Sequence, residues 1–398
     1  MFTRRAALTA ALAALGSSAL PTATATASAA TASAAAALPR SATRAVLPRP
    51  TGRHSVATRS LPLTDFGRTD PFASRPGPRR LMVQLWYPTS SPAPAPHPRT
   101  PAVPYTDPGT GAALEAGWGM RPGVLEGVGT HARAGGRPIA GIRSAVVVSH
   151  GRGASRILTS GLAEELASHG HLVAAVDHTY DAAAVRFPDG RLVLGALPAE
   201  PDDWDAQDRL EVAVRAADLR CVADALCRRG RPLAGVPVQR VGLLGHSLGG
   251  AAAAEALRTD RHFVAGLDLD GGLFGTTVPE TGLDRPFLLL TSSPDHETWA
   301  RWRARHRHWG RHLHLTGGGH LSATDVPALA DAAGLRERWP EPLYGEYLGT
   351  IAPHRAATVT RACATAFFDR FLLGLHRPLL DAPGPRHPEL RFLWARGA

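Results

Sequence analysis

The chain has 398 residues, of which 44% are hydrophobic and 20% charged, the balance of a soluble globular enzyme that can bury a large core without metal or disulfide staples. Its net charge of +10 comes from 44 basic residues, all of them arginine, which are scattered and accompanied by no nucleic-acid-binding signature. The composition therefore argues against a nucleic-acid partner.

Residues 1–37 are typical of an export signal rather than of folded structure. Arg4 and Arg5 precede an apolar run, 6–20, that is too short to span a bilayer, and small residues follow it. The Thr-Arg-Arg string resembles a twin-arginine signal. An uncleaved helical anchor is the alternative. Because no later stretch is long and apolar enough for a membrane helix, we expect a secreted mature protein without an integral membrane segment.

The next residues, 38–52, are rich in Pro, Ala and Arg and are expected to be disordered, so the folded domain is expected to cover 53–398. Two strands, 55–63 and 80–87, are predicted to open it. The stretch from 90 to 143 is rich in Pro and Gly and has little periodicity. It is consistent with a partly ordered cap that faces the substrate, or with a long surface loop.

From residue 144 onward, short apolar strands alternate with amphipathic helices. The predicted strands cover 145–148, 172–176, 241–244, 263–269, 287–290 and 313–316, and the predicted helices 161–168, 205–229, 250–257 and 356–375. Uninterrupted apolar strands that alternate with helices indicate a mostly parallel central sheet with helices on both faces. No internal repeat is visible, so we expect a single α/β domain.

The strongest local signal is Gly-His-Ser-Leu-Gly-Gly at 245–250, which matches the G-x-S-x-G pattern between a strand and an Ala-rich helix. A tight turn there lifts Ser247 out of the sheet, and Gly245 and Gly249 leave room for close backbone approach. The following helix directs its amides at the reacting oxygen. The pattern predicts an α/β-hydrolase fold with Ser247 as the nucleophile.

A general base and an acid should follow the nucleophile, each after a later strand. His320 comes after the last predicted strand of the sheet, on a glycine run that lets a loop return the imidazole to Ser247. Two carboxylates satisfy the order for the acid, Asp270 after one strand and Asp295 after the next. The residues alone favour neither of these two as the acid. Asp268, deeper in the sheet, is a third candidate.

Two backbone amides are expected to hold the oxyanion of the reaction. One belongs to the residue after the nucleophile, Leu248. The other is assigned to Arg152, within Ser-His-Gly-Arg-Gly at 149–153, because this H-G-x-G turn follows the first parallel strand.

Together these motifs resemble the platelet-activating-factor acetylhydrolase family and its bacterial lipase and esterase relatives. The segments that carry the resemblance are 85–88, 149–153, 166–170, 245–250, 266–270 and 319–320. The resemblance implies hydrolysis of short-acyl phospholipids or small esters through an acyl-enzyme, without a metal or other cofactor. It also favours Asp270 over Asp295, since the acid of that family follows the nucleophile by one helix and one strand.

Three alternatives belong beside this interpretation. The first is a triglyceride lipase or a cutinase-like polyesterase. The second is an inactive α/β-hydrolase-fold binding protein, which the presence of all three expected side chains disfavours. The third is a metal site in the His-rich run 306–314, where interleaved arginines and the lack of suitably spaced Cys or carboxylates argue against a cation. The sequence does not indicate an oligomeric state.

Overall fold

The computed structural model describes residues 44–90, 102–228 and 235–397. The predicted export signal, 1–37, lies outside these residues. Within the described residues, no helix combines the length and the apolar character needed to cross a membrane.

The segment 44–52, which composition predicts to be disordered, is packed onto the domain instead. Leu47 is buried, and its amide donates to the carbonyl of Gly129 at 2.9 Å. The guanidinium of Arg361 donates to the carbonyls of Pro48 and Arg49 at 3.0 and 3.2 Å. These distant partners satisfy an extended backbone that has no local periodicity, so composition alone could not reveal its order.

A central sheet forms the middle layer of the fold, and a small hairpin lies apart from it. In chain order the strands are β1 (Ser55–Thr69), β2 (Pro78–Thr89), β3 (Arg133–Ala134), β4 (Ser144–Ser149), β5 (Leu172–Asp177), β6 (Ala184–Arg186), β7 (Leu192–Leu194), β8 (Arg240–His246), β9 (Phe263–Leu269), β10 (Phe287–Thr291), β11 (Gly310–Leu315) and β12 (Leu390–Arg396). Over the described ranges the sheet has ten strands, ordered β12-β11-β10-β9-β8-β4-β5-β2-β1-β3, and β6 pairs with β7. The strands from β11 to β5 in that order are mutually parallel, while β12 and β2 run antiparallel to their inner neighbours.

Helices cover both faces of this sheet. They are α1 (Pro108–Gly117), α2 (Ser160–Ser168), α3 (Trp204–Cys227), α4 (Leu248–Thr259), α5 (Val278–Thr281), α6 (Glu297–Arg305), α7 (Val326–Ala333), α8 (Leu335–Arg338), α9 (Glu341–Leu348) and α10 (Pro353–Leu373), with 3₁₀ turns at Arg156–Thr159 and Pro378–Leu380. Alternate side chains of β4 enter the two cores. Ala145 and Val147 pack in the cluster that includes α3 and α4, whereas Val146 and Val148 pack with α2 and α10. The predicted layer arrangement is thus the one observed.

Local signals set the ends of the long helices. The side chain of Asp203 caps α3 by accepting from the amides of Asp205 and Ala206 at 2.9 and 3.0 Å. At the other end of the chain, α10 stops at Leu373 because Gly374 adopts φ 73°, the left-handed conformation that ends many helices. The predicted helices therefore match in position and differ by a few residues at their ends.

The described part of the Pro/Gly-rich stretch is an ordered cap, which we define as residues 102–132. Tyr105, Leu114 and Trp118 pack in one apolar cluster with residues of α7, α8 and α9. The indole of Trp339 donates to the carbonyl of Trp118 at 2.8 Å. The described residues of this stretch are thus packed against the domain and do not form a loose surface loop.

Candidate active site

Ser247 lies in a tight turn between β8 and α4. Its backbone has φ 56° and ψ −128°, a conformation that side-chain-bearing residues rarely adopt and that is characteristic of strained functional turns. A Cβ on Gly245 would lie 2.0 Å from the carbonyl oxygen of Gly249, so the turn closes only with glycine at 245. The turn leaves Ser247 half-buried, at the wall of a cavity.

The structure brings His320 and Asp270 together. The Nδ1–H of His320 donates to Oδ2 of Asp270 at 2.8 Å. Ser292 also binds this carboxylate, through its amide at 2.6 Å and its hydroxyl at 2.8 Å. Burial alone would raise the pKa of Asp270, but the hydrogen bonds and charge of its partners lower the pKa below its usual value. Asp270 is therefore a carboxylate that keeps a proton on Nδ1 of His320 and leaves Nε2 able to accept another.

The two other carboxylates considered for the acid lie elsewhere. The side chain of Asp295 is 79% exposed, with Arg303 as an ion-pair partner at 3.5 Å. Asp268 is buried beneath the first turn of α4 and accepts from the amide of Gly271 at 2.8 Å, and burial raises its pKa well above the ordinary value. Of the three candidates, Asp270 is the one in contact with His320.

The loop after β4 lies against the nucleophile turn. A Cβ on Gly151 would lie 3.3 Å from the Cβ of Ser247. The side chain of Arg152 turns toward α3, where Nε donates to Glu211 and Nη2 to Asp208, each at 2.7 Å. With both carboxylates as partners, this guanidinium is held in place and its charge is compensated.

Leu248, the other residue assigned to the oxyanion, is the first residue of α4. Amides in the first turn of a helix have no partner within the helix, and they carry its positive end. The turn that exposes Ser247 therefore also places a helix N-terminus beside it.

His246 has a role that the sequence motif did not suggest. Its Nε2 lies 2.8 Å from the carbonyl oxygen of His320, and since a carbonyl only accepts, Nε2–H is the donor. Burial lowers the pKa of His246 to about 4, so the ring is neutral. This bond ties the loop that carries His320 to the last residue of β8, next to Ser247. The variable second position of G-x-S-x-G was the only signal for it in the sequence.

A cavity of about 490 Å³ opens beside Ser247, His320 and Asp270, and its volume is typical of small-molecule sites. Five aromatic side chains line it: Trp118 from the cap, Trp204 at the start of α3, Phe274, Trp299 and Tyr347. The described ranges contain no group of three side chains able to hold a metal ion. The cavity therefore offers flat apolar walls around a nucleophile candidate.

The chain is similar to known acetylhydrolases and esterases. The sequence model of a family described as "Platelet-activating factor acetylhydrolase, isoform II" matches residues 140–188. A probable 1-alkyl-2-acetylglycerophosphocholine esterase of Arthroderma benhamiae is 29% identical, over 87% of this chain and 94% of the relative. The platelet-activating factor acetylhydrolase of Cavia porcellus is 30% identical over 32% of this chain and 35% of its own length.

A solved structure is similar over nearly its whole length. The ferulic acid esterase from Streptomyces cinnamoneus is 40% identical and superposes with a TM-score of 0.78, covering 88% of this chain and 99% of that one. The likeness confirms the α/β-hydrolase fold that the sequence predicts.

Proposed function

Since the chain belongs to the α/β-hydrolase esterases that include platelet-activating-factor acetylhydrolases and their bacterial esterase relatives, we propose that it hydrolyses carboxylic esters with Ser247 as the nucleophile. The observation that carries this proposal is the strained turn that holds Ser247 at the wall of the cavity also lined by His320 and Asp270. Membership of this family indicates ester hydrolysis, and the strained turn indicates Oγ of Ser247 as the attacking atom.

In the proposed mechanism, Oγ of Ser247 attacks the ester carbonyl while Nε2 of His320 takes the serine proton. Asp270 holds the imidazole in the tautomer that can do so, and stabilises the imidazolium that forms. The amides of Leu248 and Arg152 bind the oxyanion of the tetrahedral intermediate. His320 then protonates the leaving alcohol, an acyl-enzyme remains, and a water molecule activated by His320 releases the acid.

The proposed substrates are small esters whose acyl group is short or aromatic. The similarity to an acetylglycerophosphocholine esterase supports a short acyl group. The similarity to a ferulic acid esterase, which is the more similar of the two in sequence, supports an aromatic one. The aromatic lining of the cavity fits an aromatic ring, since stacked and edge-on ring contacts add to area burial. Short-acyl phospholipids, which the sequence resemblance implied together with small esters, also carry a short acyl group and belong to this proposal. A triglyceride lipase or a cutinase-like polyesterase is the alternative.

A fluorophosphonate probe, which phosphonylates activated serines, tests the nucleophile. We expect covalent labelling of the wild-type protein at one site, and none in Ser247→Ala, because the reaction needs a serine activated by a neighbouring base. Mass spectrometry of the labelled peptide identifies the residue. A folded wild-type protein that stays unlabelled and cleaves no ester would count against the proposed function.

A panel of esters tests the substrate class. We expect kcat/KM to rank p-nitrophenyl acetate and methyl ferulate above p-nitrophenyl laurate, by roughly 10-fold or more, because the aromatic side chains that line the cavity fit a small or planar acyl group better than a long flexible chain. A short-acyl phosphatidylcholine completes the panel. Preference for laurate would favour the lipase alternative, and activity confined to the phosphatidylcholine would exclude aromatic esters.

We also propose export of the protein through the signal expected at 1–37. The N-terminal composition supports this, with paired arginines followed by a short apolar run.

A further inference from the structure

A second Ser–His–Asp chain lies directly under the loop after β4, residues 150–153, which contains Arg152 and which we call the oxyanion loop. The Nε2 of His178 lies 2.8 Å from Oγ of Ser149, and its Nδ1 lies 2.9 Å from Oδ2 of Asp218. We propose that this chain, the buried relay, holds the oxyanion loop in register with Ser247 and so acts as a positioning element for ester hydrolysis. This inference rests on the function proposed above.

Burial and charge set the direction of the hydrogen bonds in the buried relay. Burial lowers the pKa of His178, and so does the nearby charge of Arg215, which leaves the ring neutral. Burial would raise the pKa of Asp218, but the ion pair with Arg79 at 2.7 Å and the bond with His178 bring it below the usual value. Asp218 is thus an acceptor, Nδ1 of His178 carries the proton, and Nε2 accepts the hydroxyl proton of Ser149.

The buried relay has the bonding pattern of a catalytic triad but not its access. Ser149, His178 and Asp218 are each 0% exposed. Ser149 also belongs to the regular strand β4 and not to a strained turn. Among the described residues, positive φ outside glycine occurs only at Tyr180, Ser247 and Asp270. A substrate cannot reach Ser149, so the relay acts through the backbone that it holds.

That backbone is the start of the oxyanion loop. Ser149 ends β4, and the next carbonyl, of His150, accepts from the guanidinium of Arg215. Arg215 is itself fixed by Asp181, whose Oδ2 accepts from Nε at 2.6 Å. One side of the loop is therefore bound by buried charged groups that the chain brings from α3 and from the segment after β5.

The other side of the same backbone touches the nucleophile helix. A Cβ on Gly249 would lie 2.3 Å from the carbonyl oxygen of Ser149 and 2.7 Å from that of His150. The loop is thus clamped between the buried relay and the first turn of α4. Because Arg152 follows within the same turn, movement of Ser149 changes the distance between the amide of Arg152 and the carbonyl oxygen of the bound ester.

The molecule supplies a matched control at the other end of β4. Oγ of Ser144 lies 2.9 Å from Nδ1 of His171, whose Nε2–H donates to Oδ1 of Asp369 at 3.0 Å. These three side chains are also buried. Ser144 and Ser149 therefore each bind a buried histidine that is paired with an aspartate, but only Ser149 borders the oxyanion loop. Oγ of Ser149 also lies 3.5 Å from Nη1 of Arg215.

The test compares Ser149→Ala with Ser144→Ala. Each variant deletes one buried hydroxyl and leaves a histidine nitrogen without its partner, so we expect similar losses of Tm. For p-nitrophenyl acetate, we expect kcat of Ser149→Ala to fall about 10-fold or more at an unchanged KM, since a misplaced oxyanion donor weakens the transition state alone. For Ser144→Ala, kcat should stay within about 2-fold of wild type.

The affinity for a trifluoromethyl ketone gives a second readout. The adduct of this inhibitor with Ser247 carries an oxyanion that the amides of Leu248 and Arg152 would bind. The affinity should fall in Ser149→Ala in parallel with kcat/KM, and stay unchanged in Ser144→Ala. If Ser149→Ala does not fold, Ser149→Cys replaces it, with a weaker donor of similar size, and Ser144→Cys is its control.

Equal kcat in the two variants at matched loss of Tm would overturn the positioning role, as would a rise of KM alone in Ser149→Ala. Both outcomes presuppose an active wild type that the fluorophosphonate probe labels at Ser247. A wild type without ester hydrolysis would instead contradict the proposed function, so the two failures are distinguishable.

Discussion

Replacing Asp270 by Asn is expected to lower kcat roughly 10⁴-fold with little change in KM. Asp270 accepts the Nδ1–H of His320 at 2.8 Å, and an amide nitrogen in its place would favour the wrong imidazole tautomer. Steady-state kinetics with p-nitrophenyl acetate measures the effect, and the thermal midpoint reports whether the variant is folded.

The matched control is Asp295→Asn. Its carboxylate is 79% exposed and has only a surface partner, so kcat should remain within about 2-fold of wild type. Loss of activity in Asp295→Asn together with an active Asp270→Asn would reverse the assignment of the acid.

Gly245→Ala should cause a large loss of stability. The new Cβ would lie 2.0 Å from the carbonyl oxygen of Gly249, a backbone atom that no side-chain rotation can move away. We expect the free energy of unfolding to fall by about 4 kcal/mol or more, or the protein to be insoluble. Urea unfolding followed by tryptophan fluorescence measures it.

Gly345→Ala is the corresponding control, because a Cβ there meets nothing within 4 Å and the residue lies in α9. Alanine in a helix is favoured over glycine by about 0.5–1 kcal/mol, so this variant should unfold at the same or a higher urea concentration. An unchanged midpoint in Gly245→Ala would show that the turn tolerates a side chain.

The periodicity of the sequence predicted most of the sheet and the long helices, and the exceptions have physical causes. The start of β11 was predicted too late, because a charged residue, Arg311, interrupts the apolar pattern of its first half. Arg311 is buried, and it donates to the carbonyls of Leu380 and Arg396 at 2.8 Å. β12 was not predicted, since its mixture of Arg, Trp and Phe at the sheet edge shows no clear alternation.

Motif order identified Ser247 and His320 as a pair of candidates but could not separate two acids. Strand ends determine where a residue emerges from the sheet, whereas the direction of its side chain depends on the backbone turn that follows. Asp270 has φ 58°, a local feature that no spacing rule contains, and it is Asp270 that meets His320.

The buried relay escaped detection for a different reason. Its members are 29 and 40 residues apart along the chain, and their types are common. A weaker signal was present in α3, where buried charged residues recur at helical spacing on the face that meets the sheet: Asp208, Glu211, Arg215 and Asp218. A charged stripe on the inner face of a helix predicts buried ion pairs, although it does not name the partners.

The strained backbone at Ser247 and Asp270 lowers the stability of the fold at two residues of the proposed mechanism. Each residue occupies a positive φ that suits glycine better, at a cost of about 1–3 kcal/mol. Glycine at both positions would relieve this strain, but it would remove two side chains that the proposed mechanism needs. Substitutions that raise the Tm of this protein should therefore be made elsewhere in the fold, with Ser247 and Asp270 kept unchanged.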